Sequence, residues 1–174
     1  MAREFKNHAY IDANNLYKGI NSLGWRLDFK RFRRFLQDRH AVKKAYIFIG
    51  FIAANAGLYR DLQNWGYTVI FKPTVPGYKG KVKGNCDGEL ILQVMADFAS
   101  DSSDPCEKAV IVTGDGDFAC LINYLEPRSR LEILLSPVEA QCSILLKKAT
   151  PKVTYLEQMK GKLELILPKL SEQK

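Results

Sequence analysis

Short β-branched and aromatic runs alternate with stretches of helical spacing along the whole of this chain. The plainest run is Ala109–Val112, stopped by Thr113-Gly114 and followed by Asp115-Gly116-Asp117. An apolar run of this kind ended by glycine predicts a buried strand. Residues 119–125 continue with spacing that suits a helix. Residues 8–12 repeat the arrangement, with Asn14 or Asn15 placed to cap a helix that reaches Ile20. Further strands are predicted over 45–50, 67–72, 131–135 and 152–156, the last at a sheet edge. Pro73 ends the 67–72 run, because proline cannot donate to a ladder.

The helical stretches differ in what they present. Residues 27–39 carry Phe29, Phe32, Phe35 and Leu36 on one face and Lys30, Arg31, Arg33, Arg34 and Arg39 elsewhere. A solvated basic face is preferred there over a nucleic-acid-binding one. Residues 54–65 form a helix closed by Gly66. Residues 87–100 place Leu90, Ile91, Val94, Met95 and Phe98 on one arc, with Asp87 close to its middle. Asp97 falls near the edge of that arc and is expected at the surface or in a supporting role. A short helix at 143–149 and a weakly amphipathic tail helix at 157–169 complete the pattern. Residues 73–86 hold Pro76, Gly77, Gly80 and Gly84 and predict a loop. Its Lys79, Lys81 and Lys83 could neutralise phosphates, and Tyr78 could stack on a base.

Strands alternating with helices predict an α/β fold with a doubly wound, mostly parallel sheet. In such a sheet ligands bind beyond the carboxyl ends of the strands. Asp12 and Asp115 both end strands, so they face one edge of the sheet and converge if those strands are neighbours. Asp87 and Asp117 open helices that can approach the same place. Taken alone, Gly-Asp-Gly-Asp is equally well explained as a turn with an aspartate cap. Four carboxylates together would repel and raise one another's pKa, a conflict that Mg²⁺ or Mn²⁺ resolves while bridging phosphate oxygens. The chemistry implied is hydrolysis of a phosphodiester. Thr113 or Ser136 could add a hydrogen bond to a phosphate or water, and Asn15 could orient a carboxylate.

Composition narrows the alternatives. The chain has 174 residues, 47% of them apolar, which suits one domain over 1–174 with 157–174 as a C-terminal helix and tail. Two histidines and four scattered cysteines, with no CxxC, argue against zinc and against His-based nucleophilic catalysis. No apolar stretch is long enough to span a membrane, and the start of the chain lacks a secretory pattern, so the expected location is cytoplasmic. A formal charge of +7 that already counts every acidic residue suits a polyanionic partner. RNA is the expected one; single-stranded DNA and a homodimer are left open. Asp-Ala-Asn-Asn at 12–15 lacks the second aspartate of an aspartyl-phosphate pair, which argues against a phosphatase.

The segments YIDANNLY, KGNCDGELIL and KAVIVTGDGDFACLI, in that order, resemble the NYN domain family of the PIN-like nuclease superfamily, in its LabA-like branch. SILLKKA and KVTYLEQMKGKL resemble the C-terminal part of that branch, so the likeness runs from residue 7 to about residue 165. The resemblance implies a Rossmann-like (PIN-like) sheet of five or six strands flanked by helices, and metal-dependent ribonuclease activity. Its acidic residues carry over to Asp12, Asp87, Asp115 and Asp117. Its asparagine carries over to Asn15 or Asn14, and the lysine before the second motif's glycine to Lys83. Cys86 stands where a β-branched residue is more usual. The alternative is a regulatory module that binds RNA or a nucleotide on the same fold without cutting it.

Overall fold

The computed structural model describes residues 6–72, 75–76, 82–83, 87–99 and 104–166, the side chains of 75–76 and 82–83 excepted. The chain enters at β1 (Asn7–Asp12), continues through α1 (Ala13–Ser22) and α2 (Phe29–His40), and returns as β2 (Val42–Gly50). Then come α3 (Ala56–Asn64), β3 (Tyr67–Lys72), the short strands β4 (Val75–Pro76) and β5 (Val82–Lys83), and α4 (Asp87–Asp97). The second half runs β6 (Ala109–Val112), α5 (Ala119–Leu125), β7 (Leu131–Ser136), α6 (Ile144–Ala149), β8 (Val153–Tyr155) and α7 (Lys160–Leu163).

Six strands form one sheet in the order β3-β2-β1-β6-β7-β8, and every adjacent pair is parallel. This is the α/β sheet expected from the alternation, with β8 at an edge. Parallel strands are covered on both faces, which is why they read as continuous apolar runs. The period of two along each strand sorts side chains into two cores. Ala9, Ile11, Val110 and Val112 meet Leu16 and Ile20 of α1 and Phe32 and Leu36 of α2. Tyr10, Ala109 and Ile111 point the other way, toward Leu90 and Val94 of α4 and Leu121, Ile122 and Leu125 of α5.

The chain starts in mid-sheet, builds outward to β3, then crosses back to lay β6 against the other side of β1. Connections from β1 and β6 therefore leave in opposite directions. The gap at their carboxyl ends is a topological switch point, where ligands bind in open α/β sheets. The pairing Ile11↔Val112 sets Asp12 beside Thr113.

Four expectations need correction. Asp12, not Asn14 or Asn15, caps α1: its carboxylate accepts the Asn15 N–H at 3.1 Å. Within 73–86, β4 and β5 pair antiparallel, so the described part is a hairpin and not a featureless loop. The predicted tail helix stops at Leu163, because the chain there turns to pair with 26–28. Asp28 N–H donates to Leu163 O and Leu165 N–H to Arg26 O, both at 2.8 Å. Asp97 is buried, not superficial. Its carboxylate accepts the Tyr10 hydroxyl at 2.8 Å and Gln93 Nε2 at 2.7 Å, and lies 2.7 Å from His8 Nδ1. Two of these partners, His8 and Tyr10, come from β1, which no helical spacing within α4 could reveal.

No helix among the described residues is long and apolar enough to cross a membrane. The basic face of α2 is partly committed to the fold, since Arg33 donates to Gly66 O at 3.0 Å and to Lys43 O at 2.9 Å.

Candidate active site

The switch point is tied together by short polar side chains from both of its strands. Thr113, fully buried, donates its hydroxyl to Asp12 Oδ2 at 3.1 Å and accepts the Asp115 N–H at 3.1 Å. Asn15 Oδ1 accepts the Gly114 N–H at 2.7 Å. The end of β1 thus holds the turn after β6, and the turn holds Asp12 in return. Ser136, at the end of β7, is also buried and donates to Val138 O at 3.3 Å. It supports the turn from behind: a Cβ added at Gly114 would lie 3.0 Å from Ser136 Oγ.

The next glycine is packed closer still. A Cβ at Gly116 would lie 2.5 Å from Ser143 Oγ and 3.1 Å from Ser143 Cβ. Ser143 is anchored, because its N–H donates to Gly114 O at 3.0 Å and its hydroxyl accepts the Leu145 N–H at 3.3 Å. Gly116→Ala should therefore displace the Asp115–Asp117 turn and destabilise the fold by about 1–3 kcal/mol. Gly57→Ala in open space on α3 is the control and should be neutral or slightly stabilising. Melting curves of both variants check this.

Asp12, Asp87 and Asp115 line one pocket of about 410 Å³, together with Asn15, Lys18 and Gly50. Burial pushes the Asp12 carboxyl above its usual range. The Asn15 N–H and Thr113 hydroxyl oppose that shift, and the negative charges of Asp87 and Asp115 add to it. A carboxyl raised in the folded state contributes stability below its unfolded pKa, and that contribution is lost as pH rises through the folded pKa. Ionised Asp12 therefore costs stability near neutral pH. Asp12→Asn keeps a capping oxygen and removes the charge but gives up the acceptor of the Thr113 hydroxyl, so its melting temperature relative to wild type should rise from acid to neutral pH. Thermal scans across pH decide this; a difference that stays constant or falls over that range would contradict the raised carboxyl.

Asp117 is exposed, and its N–H donates to Asp115 Oδ1 at 3.1 Å. It stands at the head of the turn outside the pocket lining. Lys79 and Lys81 lie outside the described residues, as do Tyr78 and Cys86; Lys83 belongs to β5, but its side chain lies outside them too. Lys18 and Gln141 line the pocket and had not been singled out. Lys18 stands three residues after Asn15 on α1, so helical spacing places it on the same side. Gln141 comes from the connection between β7 and α6, where no local pattern marks it.

All the acidic groups here offer hard oxygen donors, and the Asp12 carboxyl is raised mainly by burial, with smaller contributions from the charges of Asp87 and Asp115. This donor set fits Mg²⁺ or Mn²⁺. Among the described residues, no three acidic, histidine or cysteine groups stand close enough to hold an ion between them.

Residues 9–157 match the model of the NYN domain. The chain belongs to the NYN domain family. Family membership brings a PIN-like nuclease fold and places the switch-point carboxylates within the matched span. Among solved structures the NYN domain described here is similar to a protein of unknown function, VPA0982, from Vibrio parahaemolyticus RIMD 2210633. The two align with a TM-score of 0.71 at 20% identity, over 95% of this chain and 100% of that one. That likeness shows a shared fold. No curated protein matches the chain.

Proposed function

We propose that this NYN domain, of the LabA-like branch, is a metal-dependent nuclease that hydrolyses phosphodiester bonds in RNA. The observation that carries the reading is the convergence of Asp12, Asp87 and Asp115 on one pocket at the β1/β6 switch point. Asp12, Asp87 and Asp115 would supply the carboxylates for Mg²⁺ or Mn²⁺, the ion taking one or two of them directly and the rest through its waters, with Asp117 at the outer end of the turn. When bound, the ion supplies Lewis-acid stabilisation of the charge that develops on the phosphoryl oxygens. Thr113 and Asn15 orient the carboxylates and the turn. Lys18 supplies positive charge for a phosphate inside the pocket, and Lys79, Lys81 and Lys83 are proposed as further phosphate contacts. Ser136 braces the turn from the adjacent strand. Because protons compete for the raised Asp12 carboxyl, cleavage should fall on the acid side at a higher pH than an ordinary carboxylate would impose. The domain occupies 1–174 as one unit in this reading and acts in the cytoplasm.

The test is incubation of single-stranded RNA and single-stranded DNA of the same sequence with EDTA, Mg²⁺ or Mn²⁺, beside Asp115→Asn. Metal-dependent RNA cleavage that is lost in the variant supports the reading. Equal cleavage by both proteins overturns it. A regulatory module that binds RNA without cutting it is favoured by one observation, the lack of a closed three-ligand cluster among the described residues. Salt-sensitive binding with no product under any metal would decide for that module.

A further inference from the structure

Beside the carboxylate pocket the surface turns apolar. Gly50, which lines the pocket, ends β2, and Phe51 and Ile52 follow it directly. Both are 46% exposed, and Phe71 on the neighbouring strand β3 is 38% exposed. These side chains form one group. The Phe51 and Phe71 rings meet edge to face with centroids 5.6 Å apart, and Tyr59 packs on Phe71 at 4.7 Å.

Unlike its neighbours, Tyr59 is buried, and it fixes the group in place. Its hydroxyl donates to Gly50 O at 3.2 Å and accepts the Ile52 N–H at 2.9 Å. Phe51 N–H donates to Lys72 O at 3.1 Å. Lys72 pairs with Glu89 at 3.4 Å, on the first turn of the helix that begins with Asp87. Two exposed rings are thus held on a braced backbone, one residue from the pocket and linked to the helix that carries one of its carboxylates. Exposed apolar groups of this kind mark an interaction site.

We infer that Phe51 and Phe71 form a stacking platform for the unpaired bases of a single-stranded nucleic acid whose backbone runs into the carboxylate pocket. The inference rests on the nuclease reading for the position of the backbone. Three features select this occupant: Phe51 directly follows the pocket-lining Gly50, Lys18 brings positive charge into that pocket, and the chain as a whole is basic at +7. Every base offers a π-face, so the platform is tolerant of sequence. A paired base has both faces buried in its stack, so the platform favours single strands over duplexes.

The test is binding in EDTA, where no cleavage intervenes, of a single-stranded octanucleotide carrying 2-aminopurine and of the matching duplex. Phe51→Leu keeps apolar bulk and removes the ring. It should weaken single-strand binding about tenfold, relieve the quenching of 2-aminopurine, and leave duplex binding unchanged. Phe51→Trp should restore or tighten binding. The rise in melting temperature caused by Mn²⁺ should be the same in wild type and Phe51→Leu, which confirms an intact pocket. Single-strand binding that does not depend on the ring overturns the platform, and so does an equal loss on single strand and duplex. A change of oligomeric state in sedimentation with no effect on binding would make the patch a contact between copies and also overturn it. Ring-dependent binding by a wild-type protein that never cleaves would leave the platform standing and remove only the hydrolytic reading.

Discussion

Replacing Asp115 by asparagine is expected to lower metal-dependent RNA cleavage by about 10²–10³-fold, the loss that follows removal of one charge-stabilising group from an active site. The fold should survive the change. Asp115 ends the turn after β6, and its Oδ1 accepts the Asp117 N–H at 3.1 Å. An asparagine oxygen can keep that bond, and asparagine caps helices about as well as aspartate. The Asp115 N–H bond to Thr113 Oγ1 is made by the backbone and is indifferent to the side chain. What changes is one negative charge in a pocket shared with Asp12 and Asp87. With that charge gone, the pressure that raises the Asp12 carboxyl also eases, since Asp115 is one of its causes. Initial rates, with melting curves as a check on folding, decide the matter. Cleavage at the wild-type rate would sink the assignment.

The largest effect on stability is expected at the opposite end of α4. Asp97→Ala removes the acceptor shared by Tyr10, Gln93 and His8. Tyr10 and His8 are fully buried, and His8 Nε2 has no hydrogen-bond partner among the described residues. Alanine would leave the ring without its contact through Nδ1 and the Tyr10 hydroxyl without its acceptor. Each stranded buried polar group costs about 1–3 kcal/mol, and breaking a buried charged network costs about 3–5 kcal/mol. For a chain of this size that is a fall in melting temperature on the order of 10 °C. Denaturant titration of wild type and Asp97→Ala measures it. A difference near zero would mean that the cluster is solvated. Burial also pushes the Tyr10 hydroxyl far up and the Cys106 thiol up to about 11. Both therefore stay protonated: the Tyr10 hydroxyl donates to Asp97 and the Cys106 thiol to Lys108 O at 3.1 Å. The same helix begins at Asp87, so loosening its far end should lower cleavage as well.

How much of this was legible beforehand depended on the range of each interaction. The strands were readable because burial on both faces imposes continuous apolar runs, as in Ala109–Val112, and glycine or proline stops them. Asp87 stands out because a charge falls in the middle of an apolar arc. Asn14 and Asn15 are as good caps as Asp12 by composition, and only the Asn15 N–H contact decides between them. The apolar spacing of the tail predicts too long a helix because it carries no sign of the pairing with 26–28.

Local periodicity in the sequence determined an α/β chain whose aspartates stand at the ends of strands and the starts of helices. It could not determine which strands are neighbours, since that depends on pairing across about a hundred residues. The tertiary structure decided that β1 lies beside β6, so that Thr113 reaches Asp12 and Asn15 reaches Gly114. It decided that Asp97 is buried, because His8 and Tyr10 reach it from a strand nearly ninety residues earlier. It also decided that Phe51 and Phe71, two ordinary apolar positions in the sequence, stand exposed, with Phe51 next in the chain to the pocket-lining Gly50. In each case the deciding contact joins parts of the chain that no local pattern connects.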